Sequence, residues 1–168
     1  GFSYTKQGPL DMRYNPKTNT KTAKDILSKI SEKDLSFIIK EYGEEKYYRK
    51  ISRSIINARE SNQINTTFDL RNAICKVVPK KNNVKVLSRV FQAIRIVVND
   101  EIDQLKRTLK KSFDYLNKGG RIAIITFHSI EDRIVKHFFR DSILYKNSTY
   151  NIEYQNLNKR FKLITKKP

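Results

Sequence analysis

Arg121 to Arg133, reading RIAIITFHSIEDR, restricts the fold of this chain more than any other stretch. Ile122, Ala123, Ile124 and Ile125 form an unbroken apolar run rich in β-branched residues, the pattern of a strand buried on both faces. After Phe127 the period changes. Ile130, Ile134, Val135, Phe138 and Phe139 then fall on one face of a helix. Ser129 is placed to cap that helix, with Asp132 as the acidic partner of a capping box. A strand feeding a helix through so short a turn is a unit of an open α/β sheet. Such sheets hold their ligands just beyond the carboxyl ends of the strands. Phe127, His128 and Ser129 occupy that position.

The rest of the chain reads as helical. Residues 1–20 form an ordered loop containing GPLDMR at 8–13, where Pro9 restricts the backbone and Asp11 and Arg13 flank the only methionine. Helices are expected from Thr22 to Ile30, from Ser31 with Leu35, Ile38 and Ile39 apolar, and from Glu44 to Arg59. A fourth, capped by Thr66, carries Phe68, Leu70, Ile74, Val77 and Val78 and ends at Pro79. The third presents Lys46, Arg49, Lys50, Arg53 and Arg59 on its polar side, next to Tyr47 and Tyr48. Cations interleaved with tyrosines suit either a solvated face or a surface that tracks phosphates and stacks bases. Lys80 to Lys85 reads as a basic linker. A long helical stretch follows from Leu87 to Leu116, with a break at Asn99 and a cap at Gly119. Arg160 to Thr165 reads as extended.

Charge narrows the range of partners. The 168 residues carry a formal charge of +18, which favours a polyanionic partner such as nucleic acid. One cysteine, Cys75, excludes an internal disulfide and suits a reducing, cytoplasmic setting. No run is long and apolar enough for a membrane span, and no signal-peptide pattern is present. The two histidines, His128 and His137, lack zinc-ligand spacing, so no metal is expected. His128, Ser129 and Asp132 make a poor catalytic triad, because neighbours on one turn rarely point at one another. None of the five glycines belongs to a phosphate-cradling loop.

Taken together, GFSY and GPLDMR (1–13), YGEE (42–45), RVFQAIRIVVNDEID (89–103) and GGRIAIITFHSIEDRIVKHFF (119–139) resemble the small-subunit ribosomal RNA methyltransferase H family, also called MraW. The resemblance is collinear over nearly the whole chain. It implies an α/β fold: the distal part of a Rossmann-like class I methyltransferase domain with an all-helical insertion. On that basis residues 1–19 are the active-site loop and connection, 20–85 the insertion that recognises substrate, and 86–168 the C-terminal part of the methyltransferase domain. The implied activity is transfer of a methyl group from S-adenosylmethionine to N4 of a cytidine in 16S rRNA, at the decoding centre of the small ribosomal subunit. Asp11 and His128 are the implied catalytic candidates, with Arg13, Phe127 and Ser129 lining the pocket; Lys46, Arg49, Lys50 and Arg53 are the RNA-binding candidates.

The family's glycine-rich motif, the acidic residue after its second strand, a later acidic motif and its closing C-terminal strand have no counterpart in these 168 residues. The expectation is therefore a fragment that is inactive alone and self-associates through an exposed sheet. The alternative is a non-catalytic RNA-binding module.

Overall fold

A computed structural model describes residues 1–144 and Ile164. The expected extended segment at Arg160 to Thr165 therefore lies, except for Ile164, outside the described residues. Seven α-helices occur among the described residues: α1 (Ala23–Lys29), α2 (Glu32–Glu41), α3 (Tyr48–Glu60), α4 (Thr67–Cys75), α5 (Asn83–Asn99), α6 (Glu101–Ser112) and α7 (Ser129–Leu144). The chain divides into two units, Gly1–Glu101 and Ile102–Pro168.

In the first unit, local chemistry sets the helix starts. Thr22 and Asp25 form a reciprocal capping box on α1, and Thr66 and Asp69 form another on α4. The Ser31 hydroxyl accepts from the Asp34 amide at the start of α2. Each helix then turns an apolar face inward. Leu27, Leu35, Ile39, Ile51, Ile55, Leu70, Ile74, Val90 and Ile94 all lie buried in one cluster. Each such side chain contributes roughly 1.5–3 kcal/mol relative to exposure. α5 packs against α1, α2 and α4, while α3 packs against α2 and α4. Leu10 and Met12 of the GPLDMR loop belong to the same cluster, so the loop is anchored in the core.

Three expectations about this unit are corrected. α3 begins at Tyr48, because Glu44 takes a left-handed conformation (φ 46°) that interrupts any helix from Glu44. Glu45 is then tucked beneath, only 2% exposed; its Oε1 accepts from the Tyr47 amide and its Oε2 pairs with Arg89 at 3.3 Å. Gly43 permits this turn: a Cβ there would lie 2.6 Å from the Ile39 carbonyl oxygen and 3.1 Å from that of Arg89. The polar stretch at 80–85 is a short 3₁₀ turn running directly into α5, not a linker. Arg59 leaves the basic face and donates to the Leu27 and Ile30 carbonyls at 3.2 and 2.7 Å, closing the C-terminal end of α1. The break at Asn99 is present, with Asp100 left-handed between α5 and α6.

In the second unit, Leu109, Phe113, Ile130 and Val135 are buried. Phe113 stacks on Phe138, their ring centroids 5.0 Å apart. α6 ends at Ser112 and a 3₁₀ turn follows to Tyr115, so Gly119 is not its cap; it takes φ 81° in the turn that leads to residue 121.

The strand expected at 121–127 is not formed. Exposure alternates along 121–127, with Ile122 and Ile124 half-buried between exposed neighbours, as an extended chain requires. No strand among the described residues pairs with it, and a strand exists only through its ladder. Ile125 is 83% exposed, so this run is not buried on both faces. The Rossmann-like sheet is accordingly not seen among the described residues.

Candidate functional site

The site residues expected from sequence fall in two places, one in each unit. The first is the GPLDMR loop, whose backbone is held at the starts of two helices, with the side chain of Asn19 beyond it tied to the end of a third. The Asp11 and Leu10 carbonyls accept from the Ala23 and Lys24 amides at 2.7 and 2.8 Å, satisfying the start of α1. The Gly8 carbonyl accepts from the Thr67 amide at 3.0 Å, and the Thr67 hydroxyl accepts from the Gly8 amide at 3.1 Å, at the start of α4. Asn19 donates to the Val98 carbonyl at the end of α5. Between these anchors Met12 is held at φ 62°, a left-handed conformation that costs a non-glycine residue roughly 1–2 kcal/mol. Strain of this kind persists only where the surroundings over-determine it, and it clusters at functional sites.

Asp11 and Arg13 are brought together. Arg13 Nε and Nη2 donate to the two carboxylate oxygens of Asp11 at 2.6 and 2.8 Å, a bidentate pair. The Arg13 amide adds a third bond to Asp11 Oδ1 at 3.1 Å, and Nη1 donates to the Asn19 carbonyl at 3.0 Å. The guanidinium hydrogen bonds hold the Asp11 carboxyl below its ordinary value, against a smaller opposing effect of burial. Asp11 is thus a firmly ionised hydrogen-bond acceptor and a weak base. It remains partly open to solvent, which leaves acceptor capacity for an incoming group.

Asn99, a helix break by its local sequence, is a polar residue of the site that helical periodicity in the sequence does not reveal. It is 7% exposed at the end of α5. Its Nδ2 donates to the Met12 carbonyl at 2.8 Å and to the Arg95 carbonyl at 3.0 Å; its Oδ1 accepts from the Tyr14 amide at 2.8 Å. An amide closing an otherwise apolar turn, Ile96-Val97-Val98-Asn99, was the available signal. Beside Met12, a pocket of about 160 Å³ is walled by Phe2, Tyr4 and Phe91 and reached by Gln92 and Arg95 of α5.

The second place is the turn before α7. Ser129 is the first helical residue and so does not occupy the capping position. His128 does: its Nδ1 accepts from the Glu131 amide at 3.3 Å, while Glu131 Oε2 accepts from the Phe127 amide at 2.9 Å. Acceptance at Nδ1 places the proton of a neutral ring on Nε2. The His128 side chain is 10% exposed, whereas Phe127 is 90% exposed. Along α7, Ser129, Arg133, Lys136, His137 and Arg140 line an open groove, with Lys136 paired to Asp132 at 2.8 Å.

The RNA-binding candidates Lys46, Arg49, Lys50 and Arg53 are exposed on and just before α3. Lys46 lies over the Tyr47 ring at 5.0 Å and Arg49 over the Tyr48 ring at 5.5 Å. Arg53 pairs with Glu32 at 3.5 Å, in the open.

Comparison with known proteins decides the family. Residues 1–168 match the MraW methylase family throughout. This chain belongs to the MraW methylase family. It is 50% identical over 141 residues to ribosomal RNA small subunit methyltransferase H of Caldicellulosiruptor saccharolyticus, an alignment covering 83% of this chain and 46% of the relative. To the protein of the same name in Protochlamydia amoebophila it is 50% identical over 143 residues, covering 83% and 45%. To that of Ehrlichia ruminantium it is 43% identical over 169 residues, covering 99% and 55%. The chain therefore spans about half the length of the curated relatives it matches. Family membership supports the class I methyltransferase fold; among the described residues only its helical parts are seen. No helix among the described residues is long and apolar enough to cross a membrane.

Proposed function

We propose that this chain supplies the RNA-recognising and base-positioning part of a cytoplasmic, S-adenosylmethionine-dependent methyltransferase. Its substrate is N4 of a cytidine in 16S rRNA, at the decoding centre of the small subunit. The observation that carries the reading is the Asp11–Arg13 pair, an ionised acceptor fixed in a strained loop.

The exocyclic amine of cytosine is a poor nucleophile because its lone pair is delocalised into the ring. A carboxylate accepting one amine N–H raises the electron density on nitrogen, orients the amine toward the methyl donor and offsets the positive charge that develops during transfer. Asp11 has the charge and the remaining acceptor capacity to do so. Its lowered pKa is no obstacle: the proton is removed late, when the nitrogen already carries positive charge and a weak base suffices. Arg13 holds the carboxylate still. Phe127, nearly wholly exposed, is suited to stacking on an unpaired base, and His128 and Ser129 line the turn beside it. Lys46, Arg49, Lys50 and Arg53 contact phosphates.

Among the described residues no glycine-rich strand-to-helix turn of the kind that cradles this cofactor is seen. Gly8 and Gly119 have open space around them and neither leads from a strand into a helix, so neither forms such a turn. The same feature favours a second reading, a non-catalytic RNA-binding module, together with the cation–tyrosine pairs of α3. Titration with S-adenosylmethionine separates the two in the full-length protein: binding supports the enzyme, and its absence the module. In that protein, Asp11→Asn is expected to lower kcat for RNA methylation by about 10²-fold or more. Unchanged kcat would refute the role of Asp11.

A further inference from the structure

We infer that Asn99 is the positioning residue of the site loop, acting on Arg13 through the two peptide groups that flank it. The inference rests on the reading of Asp11 and Arg13 given above. The Met12 carbonyl belongs to the peptide before Arg13 and the Tyr14 amide to the peptide after it. One carboxamide engages both, donating from Nδ2 to the first at 2.8 Å and accepting at Oδ1 from the second at 2.8 Å. The backbone on either side of Arg13 is thereby fixed, and with it the direction in which the guanidinium leaves the chain. The carboxamide is anchored in turn, since Nδ2 also donates to the Arg95 carbonyl within α5 at 3.0 Å. A loop residue 87 positions away in sequence is thus set against a rigid helix.

The chemistry of the contact selects asparagine. It needs a donor and an acceptor side by side, in a place only 7% exposed where water cannot easily substitute. Aspartate has the same shape but two acceptors, and would set a carboxylate oxygen against the Met12 and Arg95 carbonyls. Alanine removes both partners. In either variant the left-handed Met12 loses the bond that holds its carbonyl, and the chain relaxes toward ordinary dihedrals. Arg13 then no longer presents both nitrogens to Asp11. The Asp11 carboxylate persists but wanders, so transfer should fall mainly in kcat, with KM for RNA little changed.

The test uses the full-length protein and two readouts. With Asn99→Asp, kcat for RNA methylation is expected to drop about 10- to 100-fold at nearly constant KM, in keeping with the cost of ångström-scale misplacement. Solvent exchange of the Arg13 Nε proton, followed by ¹⁵N NMR, should accelerate by at least about 10-fold as its bond to Asp11 loosens. Exchange at the core amide of Ile55 should stay as it was. Asn99→Ala is expected to act in the same direction and serves should the aspartate variant fail to fold. Ser52→Ala, which removes a buried hydroxyl bonded to Ser36 away from the loop, should change neither readout. Arg13 exchange unaltered in both Asn99 variants, or accelerated no more than that of Ile55, would overturn the inference. Asp11→Asn run alongside distinguishes the failures. Transfer insensitive to Asp11→Asn refutes the site reading; transfer lost with Asp11→Asn and retained with Asn99→Asp refutes the role of Asn99.

Discussion

Thr67→Val is the sharpest probe of how the site loop is fastened. Thr67 is fully buried, and its hydroxyl serves two segments at once, accepting from the Gly8 amide at 3.1 Å and donating to the Lys6 carbonyl at 2.7 Å. Valine keeps the shape and the backbone bond from residue 67 to the Gly8 carbonyl, so only the two hydroxyl bonds are lost. Lys6 is exposed and water can replace its partner, placing that loss near the low end, about 0.5–1 kcal/mol. The Gly8 amide is half-buried and left without its acceptor, which costs about 1–2 kcal/mol more. The expected total is roughly 1.5–3 kcal/mol. For a urea m-value near ~2 kcal/mol/M, the midpoint followed by far-UV circular dichroism should fall by about 1 M with an unchanged slope. Thr66→Ala, which removes the α4 cap but leaves the Thr67 hydroxyl, is expected to cost about 0.5–2 kcal/mol without loosening residues 6–8. A Thr67→Val midpoint within ~0.2 M of the parent, with the Gly8 amide still protected from exchange, would refute the clasp.

Two further expectations follow from charge. In the full-length protein, Arg49→Ala with Arg53→Ala should reduce the salt slope of RNA binding by up to about two, and an unchanged slope would mean that this face is merely solvated. Acid should destabilise the fold through three aspartates whose carboxyls lie below their ordinary values. Asp11 is lowered by Arg13 and Asp25 by the Thr22 hydroxyl; Asp69 is raised by burial but lowered further by the Asn65 amide and by the Thr66 hydroxyl and amide. Below the unfolded value near ~3.9 the unfolded chain takes up protons that the folded chain refuses. The stability these groups contribute is therefore complete above that pH and is lost as pH falls through the folded values. Asp69→Asn should flatten this acid limb in a pH series of urea melts; an unaltered limb would remove Asp69 from the account.

Much of the helical unit was legible in the sequence, because its signals are local. Thr22 with Asp25, and Thr66 with Asp69, are caps whose partners lie three residues away, and the apolar faces of α2, α3 and α5 repeat at helical spacing. What depends on distant residues was not legible. The start of α3 moved because Glu44 turns left-handed to bury Glu45 against Arg89, 44 residues away. Arg59 left the basic face for the carbonyls of Leu27 and Ile30, which periodicity cannot foresee. The apolar run Ile122 to Ile125 has the composition and extended course of a strand, but pairing needs a neighbour that none of the described residues supplies. In the site, Asp11 and Arg13 were readable as a loop pair, whereas Asn99 was readable only as the end of a helix. Its partners at Met12 and Tyr14 lie at the other end of the unit's sequence.

The proposed role of Asp11, positioning a cytidine amine of small-subunit RNA for methylation, has a direct chemical readout. It is tested most directly by nucleoside mass spectrometry of small-subunit RNA treated with the full-length protein and S-adenosylmethionine. N4-methylated cytidine is expected with the parent protein and its near-complete loss with Asp11→Asn, while RNA binding by that variant is retained. A methyl group found on another base or on a ring carbon, or the same N4-methylcytidine yield from Asp11→Asn under initial-rate conditions, would contradict it.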